Sequence, residues 1–204
     1  MDTMTSVKPG CGVAAAARQS LFYVALLLGL ASGPDASALM IPLATASLVD
    51  RASCIVEGRV TSVSSHWTDN RSGIVTEVEV DVTDALLSST NRVSFMYQGG
   101  VVDGIEQRVS DMPVVQNGQQ ILVFLRKPFP MEARRLQQAR LRSSGYVLVG
   151  SAQGLWRITG KEASKSGFTV AGDSVKIDRI IDGGVLKSRI RQRLEGTRRT
   201  GGTP

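Results

Sequence analysis

The segment TEVEVDVT, residues 76–83, alternates valine with acidic residues without interruption. Successive side chains of a β-strand point to opposite faces of the sheet, so the three valines face one side and Glu77, Glu79 and Asp81 face the other. A strand with one apolar and one charged face is typical of an antiparallel sheet that covers a core on one side only. The segment therefore predicts a half-buried strand in a mostly β domain.

Shorter segments of similar character flank this strand along the chain. Strands are predicted at 55–63, 92–98, 120–126, 145–149, 155–158 and 168–170, with turn residues between them. The valine alternation in the first of these slips near Gly58 or Ser62, as it does at a β-bulge. The residues expected to face the core are Val93, Phe95, Tyr97, Ile121, Val123 and Leu125. Short strands separated by turns predict a small all-β, OB-like barrel of five or six antiparallel strands.

A short helix is expected at each end of this barrel. Residues 43–53 place their apolar side chains near one helical face. Residues 185–194 carry Leu186, Ile190 and Leu194 at intervals of four, with lysine and arginine between them. This pattern predicts a basic helix whose apolar stripe docks on the barrel, although contact of the same helix with an anionic membrane surface stays open.

The turn residues set the expected boundaries of the domain. The terminal helix is predicted to begin after Asp182 and to be stopped by Gly196. The folded domain would then span residues 39–195, and residues 196–204 would form a disordered tail. The stretch 127–144 is rich in arginine and is predicted to be a long basic excursion between two strands.

The amino terminus has the pattern of a cleavable signal peptide at residues 1–38. Lys8 and Arg18 precede an apolar run of 11 residues at 21–31, whereas a helix that spans a bilayer needs about 20. An A-S-A sequence that ends at Ala38 follows and is the expected cleavage site. The protein is therefore predicted to be exported to the periplasm or the extracellular space, with no transmembrane span in the mature chain.

The mature part offers little material for catalysis or metal binding. Cys54 would be its single cysteine, so no internal disulfide can form, and both a buried apolar role and a reactive thiol stay open. His66 is the single histidine of the chain. A zinc site needs three or four Cys, His or carboxylate ligands, so no metal and no cofactor are expected.

Several segments together carry a resemblance to a known family. They are SCIVEGRV (53–60), Trp67, IVT (74–76), GGVVDG (99–104), QRV (107–109) and GQQILVFL (118–125). Across about residues 43–160 the chain resembles a family of uncharacterised exported bacterial proteins associated with neighbourhoods of matrixin-like metalloproteases. Its order of elements is similar to the OB barrel of the netrin module and of tissue inhibitors of metalloproteinases. The resemblance implies a protein partner in the export compartment and names a metalloprotease as a candidate.

The inhibitory mechanism of those metalloproteinase inhibitors does not carry over. They bring a disulfide-held amino-terminal cysteine to the catalytic zinc, whereas the mature chain here would begin at Leu39 and contain no disulfide. The leading interpretation is a non-catalytic binding protein that uses two loops of the barrel, because recognition commonly lies on loops of a rigid scaffold. The candidate contact residues are His66, Trp67, Asp69, Arg71, Gly99, Gly100, Asp103, Gly104 and Arg108.

Two other classes of function stay open, and one is disfavoured. Glu77, Glu79 and Asp81 lie on one strand face about 7 Å apart and could serve a cell-envelope hydrolase, although a solvated strand looks the same. A structural role in the envelope is the other alternative. The net charge of +6 favours acidic partners, yet the acidic face of residues 76–83 would repel phosphate, so no nucleic-acid ligand is expected. The sequence does not indicate an oligomeric state.

Overall fold

The valines of residues 76–83 face the inside of a closed five-stranded β-barrel. The computed structural model describes residues 40–137, 145–170 and 177–200. Its α-helices are α1 (Thr45–Arg51), α2 (Pro130–Gln137) and α3 (Gly183–Thr200), and a 3₁₀-helix spans Ser151–Gly154. Its strands are β1 (Cys54–Trp67), β2 (Ile74–Leu87), β3 (Arg92–Gln98), β4 (Gly100–Val102), β5 (Ile105–Gln107), β6 (Gln120–Arg126), β7 (Tyr146–Leu148), β8 (Leu155–Thr159), β9 (Glu162–Ser164) and β10 (Ile180–Asp182). The prediction of a small all-β, OB-like barrel with a leading and a terminal helix is confirmed.

The barrel closes in the order β1-β2-β3-β7-β6 and back to β1, and β8, β9 and β10 extend the sheet from β6. One pair of neighbours is parallel: β3 and β7 meet through Phe95↔Tyr146 and Met96↔Val147. This corrects the prediction of a fully antiparallel barrel. The reason is geometric, because an odd number of strands in a closed ring cannot alternate direction at every pair.

The first strand is long enough to serve both sides of the barrel because it is bulged. β1 pairs with β2 along one edge and with β6 along the other, and its register against β2 shifts between Glu57 and Gly58 and between Val60 and Ser62. The predicted bulge is therefore confirmed. A Cβ atom at Gly58 would lie 2.3 Å from the carbonyl oxygen of Asp81, so only glycine permits this close approach of the strands.

Alternating residues of the barrel strands belong to two cores. The interior is filled by a cluster that includes Val56, Val78, Phe95, Val123 and Leu125, as the strand patterns predict. The opposite faces of β1 and β6 are covered by α1 and α3. This second cluster contains Leu48, Val49, Ile55, Leu122, Phe124, Trp156, Leu186 and Ile190. β6 is buried on both faces, which explains its unbroken apolar run.

The terminal helix docks on the barrel through its apolar stripe, as predicted. Leu186 and Ile190 are fully buried and Leu194 is half-buried in the second core. Its basic side chains make ion pairs with acidic residues of the rest of the domain. These pairs are Lys187–Glu57, Lys187–Asp84, Arg189–Asp178, Arg191–Asp84 and Arg193–Asp50.

Two predictions about the carboxyl-terminal third are wrong. α3 does not stop at Gly196 but continues to Thr200, because one exposed glycine costs a helix only about 1 kcal/mol and no proline follows within it. Residues 168–170 form no strand: Val170 makes a single parallel bridge with Met40, and Phe168 packs against Arg179. The three-residue strands β9 and β10, which lack a clear alternation, take that place at the sheet edge.

Some predictions concern residues outside the described part of the chain. They are the signal peptide at 1–38 with its cleavage site, the last four residues of the predicted tail, and residues 138–144 of the basic excursion. The described part of that excursion contains α2, which the sequence analysis did not predict.

The segment that leads into α1 is attached to the domain by one buried side chain. Gln153 is fully buried, and its Oε1 accepts a hydrogen bond from the Leu43 N–H over 2.8 Å. Its Nε2 donates to the Ile41 carbonyl over 3.0 Å. The Met40 N–H donates to the Thr169 carbonyl over 2.9 Å, so residues 40–43 lie along the domain as an ordered strap.

Candidate functional site

The predicted contact surface begins at the connection between β1 and β2. His66 is exposed and Trp67 is half-buried, and both belong to the end of β1 rather than to a turn. The turn is closed by the Thr68 N–H, which donates to a carbonyl across it over 2.9 Å. Asp69 and Arg71 are exposed at its tip, where the φ angle of Arg71 is 51°. These side chains are therefore accessible to a partner.

The second predicted segment, residues 99–113, contains a small β-hairpin made of β4 and β5. Asp103 and Gly104 form its two-residue tip, with φ angles of 52° and 77°, as a type I′ turn requires. Arg108 follows the hairpin and donates to Glu106 over 2.7 Å. The hairpin thus presents a charged, solvent-exposed end next to the barrel.

The structure brings these two segments together at one end of the barrel. The Oε1 atom of Gln107 accepts a hydrogen bond from the Ile74 N–H over 2.5 Å, which joins β5 to the start of β2. The Gly99 N–H donates to the Ile74 carbonyl over 2.8 Å, and the Thr76 hydroxyl donates to the Gly99 carbonyl over 2.6 Å. The predicted contact residues therefore lie on neighbouring segments of one surface.

Two of the predicted contact residues have a structural role. Gly99 and Gly100 have φ angles of 99° and 136°, which side chains rarely adopt. A Cβ atom at Gly100 would lie 2.3 Å from the hydroxyl oxygens of both Ser65 and Thr76, and one at Gly99 would lie 2.8 Å from the Gln107 carbonyl oxygen. Substitution of these glycines would therefore disturb the local fold, and a resulting loss of binding would not identify a contact.

A cleft of about 660 Å³ lies next to this surface, and it was not predicted from the sequence. Its floor is apolar, because Val75 and Met96 are each only 4% exposed and pack with the half-buried Val147. The cleft opens here because β7 pairs with only two residues of β3, Phe95 and Met96. The next two residues of β3, Tyr97 and Gln98, have no partner on β7 and line the cleft. A volume of this size suits a ligand or a segment of a partner protein.

The rim of the cleft is polar and close to electrically neutral. Arg126 donates two hydrogen bonds of 2.7 Å to the carboxylate of Glu132, and the Phe129 N–H also donates to that carboxylate over 2.8 Å. These hydrogen bonds, above all that from Arg126, lower the pKa of Glu132. The arrangement holds the start of α2 against the barrel. The sequence signal was the order F-P-M-E, with proline at the first helical position and glutamate two residues later.

Three hydroxyl groups, one on a buried residue and two on half-buried residues, meet at the end of the barrel where Tyr97 lines the cleft. The Ser65 and Thr76 hydroxyl oxygens are 2.8 Å apart, and Tyr97 hydrogen-bonds to Thr76 and to the backbone of Val115. Burial raises the pKa of Tyr97 above the ordinary value of a tyrosine. These contacts give the cleft a rigid support.

A sequence signal for the cleft existed on β2 and β3. Val75 has the same parity as Glu77, Glu79 and Asp81, so it is an apolar residue on the outer face of β2. Met96 lies on the outer face of β3, opposite Glu77. Apolar residues at outward positions of two neighbouring strands indicate that something covers that face or binds there.

The alternative catalytic groups do not assemble with the cleft. The carboxylate ladder continues along β2 away from it, and Asp81 is paired with Arg92 over 2.8 Å. Cys54 is fully buried at the start of β1, where burial raises the pKa of its thiol, and His66 is near the opposite end of the same strand. Cys54 and His66 therefore do not form a Cys–His pair.

Within residues 40–137, 145–170 and 177–200, no cluster of three or more His, Cys, Asp or Glu side chains is arranged to hold a metal ion. None of the helices in the described ranges is long and apolar enough to cross a membrane.

Comparison with known proteins adds no functional assignment. No protein-family model matches the chain, and no curated protein is significantly similar to it.

Proposed function

We propose that this chain is a non-catalytic binding protein of the export compartment that holds an extended segment of a partner protein in the cleft above β2 and β3. The observation that supports the proposal is the cleft itself. It has a volume of about 660 Å³ and is bordered by the turn after β1 and by Gln107 of the β4–β5 hairpin, the two regions expected to make contact. A cleft between loops of a rigid barrel is a common position for a recognition site.

The chemistry of the lining favours a polypeptide segment. The apolar floor of Val75, Met96 and Val147 offers a place for one or two apolar side chains of the partner. Next to it, Tyr97 and Gln98 continue β3 beyond the point where β7 pairs with that strand. An extended segment could add its backbone hydrogen bonds at this edge, which is the mode called β-strand addition.

The partner is sought among exported proteins, and the resemblance makes a metalloprotease the first candidate. The amino-terminal strap is not the segment that would contact it in this proposal. Met40, Ile41 and Leu43 are each hydrogen-bonded to the domain, so this segment is not free to enter a zinc site. Binding would therefore use the cleft and its neighbouring loops.

The test places a photo-crosslinking amino acid at Gln98, which is exposed and lines the cleft, and in parallel at the exposed Gln192 on α3. We expect a single exported protein to be captured from position 98 and not from position 192. The captured protein is then purified and its Kd is measured with Gln98→Trp and with the matched control Gln192→Trp. Because an indole at position 98 would occupy the cleft, we expect at least tenfold weaker binding for that variant alone. Equal affinity of both variants and the wild type would contradict the proposal.

A further inference from the structure

A second cavity of about 250 Å³ lies apart from the cleft and shares no lining residue with it. It is bordered by the segment that starts α1, by α3, by Lys165 just after β9 and by Ile177 and Asp178 just before β10. Its charged lining residues are Lys165, Asp178, Arg189 and Arg193. Three cations and one carboxylate in a small concave space raise the question of what neutralises them.

Lys165 is the unusual member of this group, because it is a buried lysine with only 5% of the residue exposed to solvent. Its Nζ atom lies 4.4 Å from the centre of the Trp156 ring and 5.9 Å from that of Phe168. The contacts given for this ammonium group among the described residues are with these two aromatic rings. Aromatic rings compensate only part of the desolvation of a cation.

The electrostatics agree with this geometry. Burial lowers the pKa of Lys165 from 10.5 to about 8, and Asp178, which raises the pKa, does not offset it. Arg179 is the other charged neighbour that acts on Lys165, and it lowers the pKa further. A buried ammonium in this position would gain strongly from an anion placed beside it.

The two arginines of α3 have hydrogen-bond donors to spare. Arg189 uses one terminal nitrogen for Asp178 over 2.7 Å, and Arg193 uses two nitrogens for Asp50 over 2.7 and 2.8 Å. A guanidinium group carries five N–H donors, so each arginine keeps several that are not committed to its carboxylate. The two carboxylates hold the arginines in place. Three cations, Lys165, Arg189 and Arg193, then face two carboxylates, Asp50 and Asp178, so one positive charge is in excess among these five described groups.

We propose that this cavity is a binding site for a small oxyanion, that is, the carboxylate, phosphate or sulfate group of a ligand, with Lys165 as the central cation and Arg189 and Arg193 as flanking donors. The volume accommodates such a group with a short remainder of the ligand. The site is independent of the proposed partner cleft, so the failure of one proposal leaves the other standing.

The first test uses sulfate and, in parallel, acetate as probes, titrated calorimetrically into the purified protein at constant ionic strength. Sulfate is chosen because its charge does not change between pH 6 and pH 10. We expect saturable binding to the wild type and at least about tenfold weaker binding to Lys165→Met, since a charge-assisted hydrogen bond is lost while the aliphatic stem is kept. The control Lys161→Met removes the same charge from an exposed turn and should bind like the wild type. Preference between the two probes identifies the class of oxyanion.

A second measurement needs no variant and covers the case in which Lys165→Met does not fold. In protein labelled with ¹³C-lysine, the Cε signal of Lys165 is followed from pH 6 to pH 10 with and without sulfate. We expect the pKa of Lys165, about 8 without sulfate, to rise when sulfate is present. We also expect sulfate to bind more weakly as the pH is raised above about 8, because Lys165 then loses its charge. No saturable binding of either probe to the wild type, or a pKa of Lys165 that sulfate does not change, would overturn the proposal.

Discussion

Replacement of Gln153 by leucine tests how the amino-terminal strap is held. The substitution keeps the approximate volume of a fully buried side chain but removes both partners of the strap. The Leu43 N–H would lose its 2.8 Å hydrogen bond and the Ile41 carbonyl its 3.0 Å hydrogen bond. The Leu43 N–H is buried, and a buried polar group left without a partner costs about 1–3 kcal/mol, whereas the Ile41 carbonyl belongs to an exposed residue and can bond to water. We therefore expect the free energy of unfolding to fall by about 1–3 kcal/mol.

Such a loss is a large part of the 5–15 kcal/mol typical of a whole domain. It would lower the Tm by roughly 2–12 °C for a chain of this size. Urea unfolding followed by circular dichroism measures the change, and hydrogen exchange at the Leu43 amide reports on the strap itself. The control is Gln192→Leu on the exposed face of α3. A difference of about 0.5 kcal/mol is roughly the error of the method. If Gln153→Leu unfolded within that difference of the wild type and the Leu43 amide stayed protected from exchange, the reasoning would be refuted.

Two further predictions follow from the end of the barrel near the cleft. Gly100→Ala should lower the free energy of unfolding by about 2–4 kcal/mol, because its Cβ would meet the Thr76 hydroxyl at a φ angle of 136°. Gly104→Ala, whose Cβ would meet nothing at the hairpin tip, should lower the free energy of unfolding by only about 1–2 kcal/mol. If urea unfolding gave the same loss for Gly100→Ala and Gly104→Ala, the steric argument would be disproved. The pKa of Glu132 should lie below 4.5 in an NMR titration and return toward it in Arg126→Met. Because folding lowers this pKa, the ion pair contributes to stability above pH 4.5, and this contribution is lost as the pH falls through the pKa of the folded state. A Glu132 carboxyl that titrates at or above pH 4.5 in the folded protein would contradict the prediction.

The local character of the barrel strands could be predicted from the sequence. The alternation in residues 76–83, the limits of β3 and β6 and the stripe of Leu186 and Ile190 on α3 all appear as expected. Each depends on which side of a strand or helix is apolar, and that information is written in neighbouring residues. The bulge of β1 is predictable for the same reason, since it appears as a slip in the alternation.

The candidate site could be predicted only in part. The sequence indicated the two loops, and the structure places them side by side through Gln107 and Ile74. The cleft was missed because it results from the divergence of β3 and β7, which have few paired residues and are distant in sequence. The importance of Gln153 was missed as well, because no local pattern shows that its amide would reach residues 41 and 43.

The sequence by itself therefore determined the strands, their inward faces and the docking stripe of the terminal helix, because these follow from the period of apolar residues. Only the tertiary structure decided the closure of β1 on β6, the parallel pairing of β3 with β7 and the capture of residues 40–43 by Gln153. It also decided that Lys165 is buried between two aromatic rings beside the arginines of α3. These features join residues that are far apart in the chain, and their energies depend on which groups meet when the barrel closes rather than on any local preference.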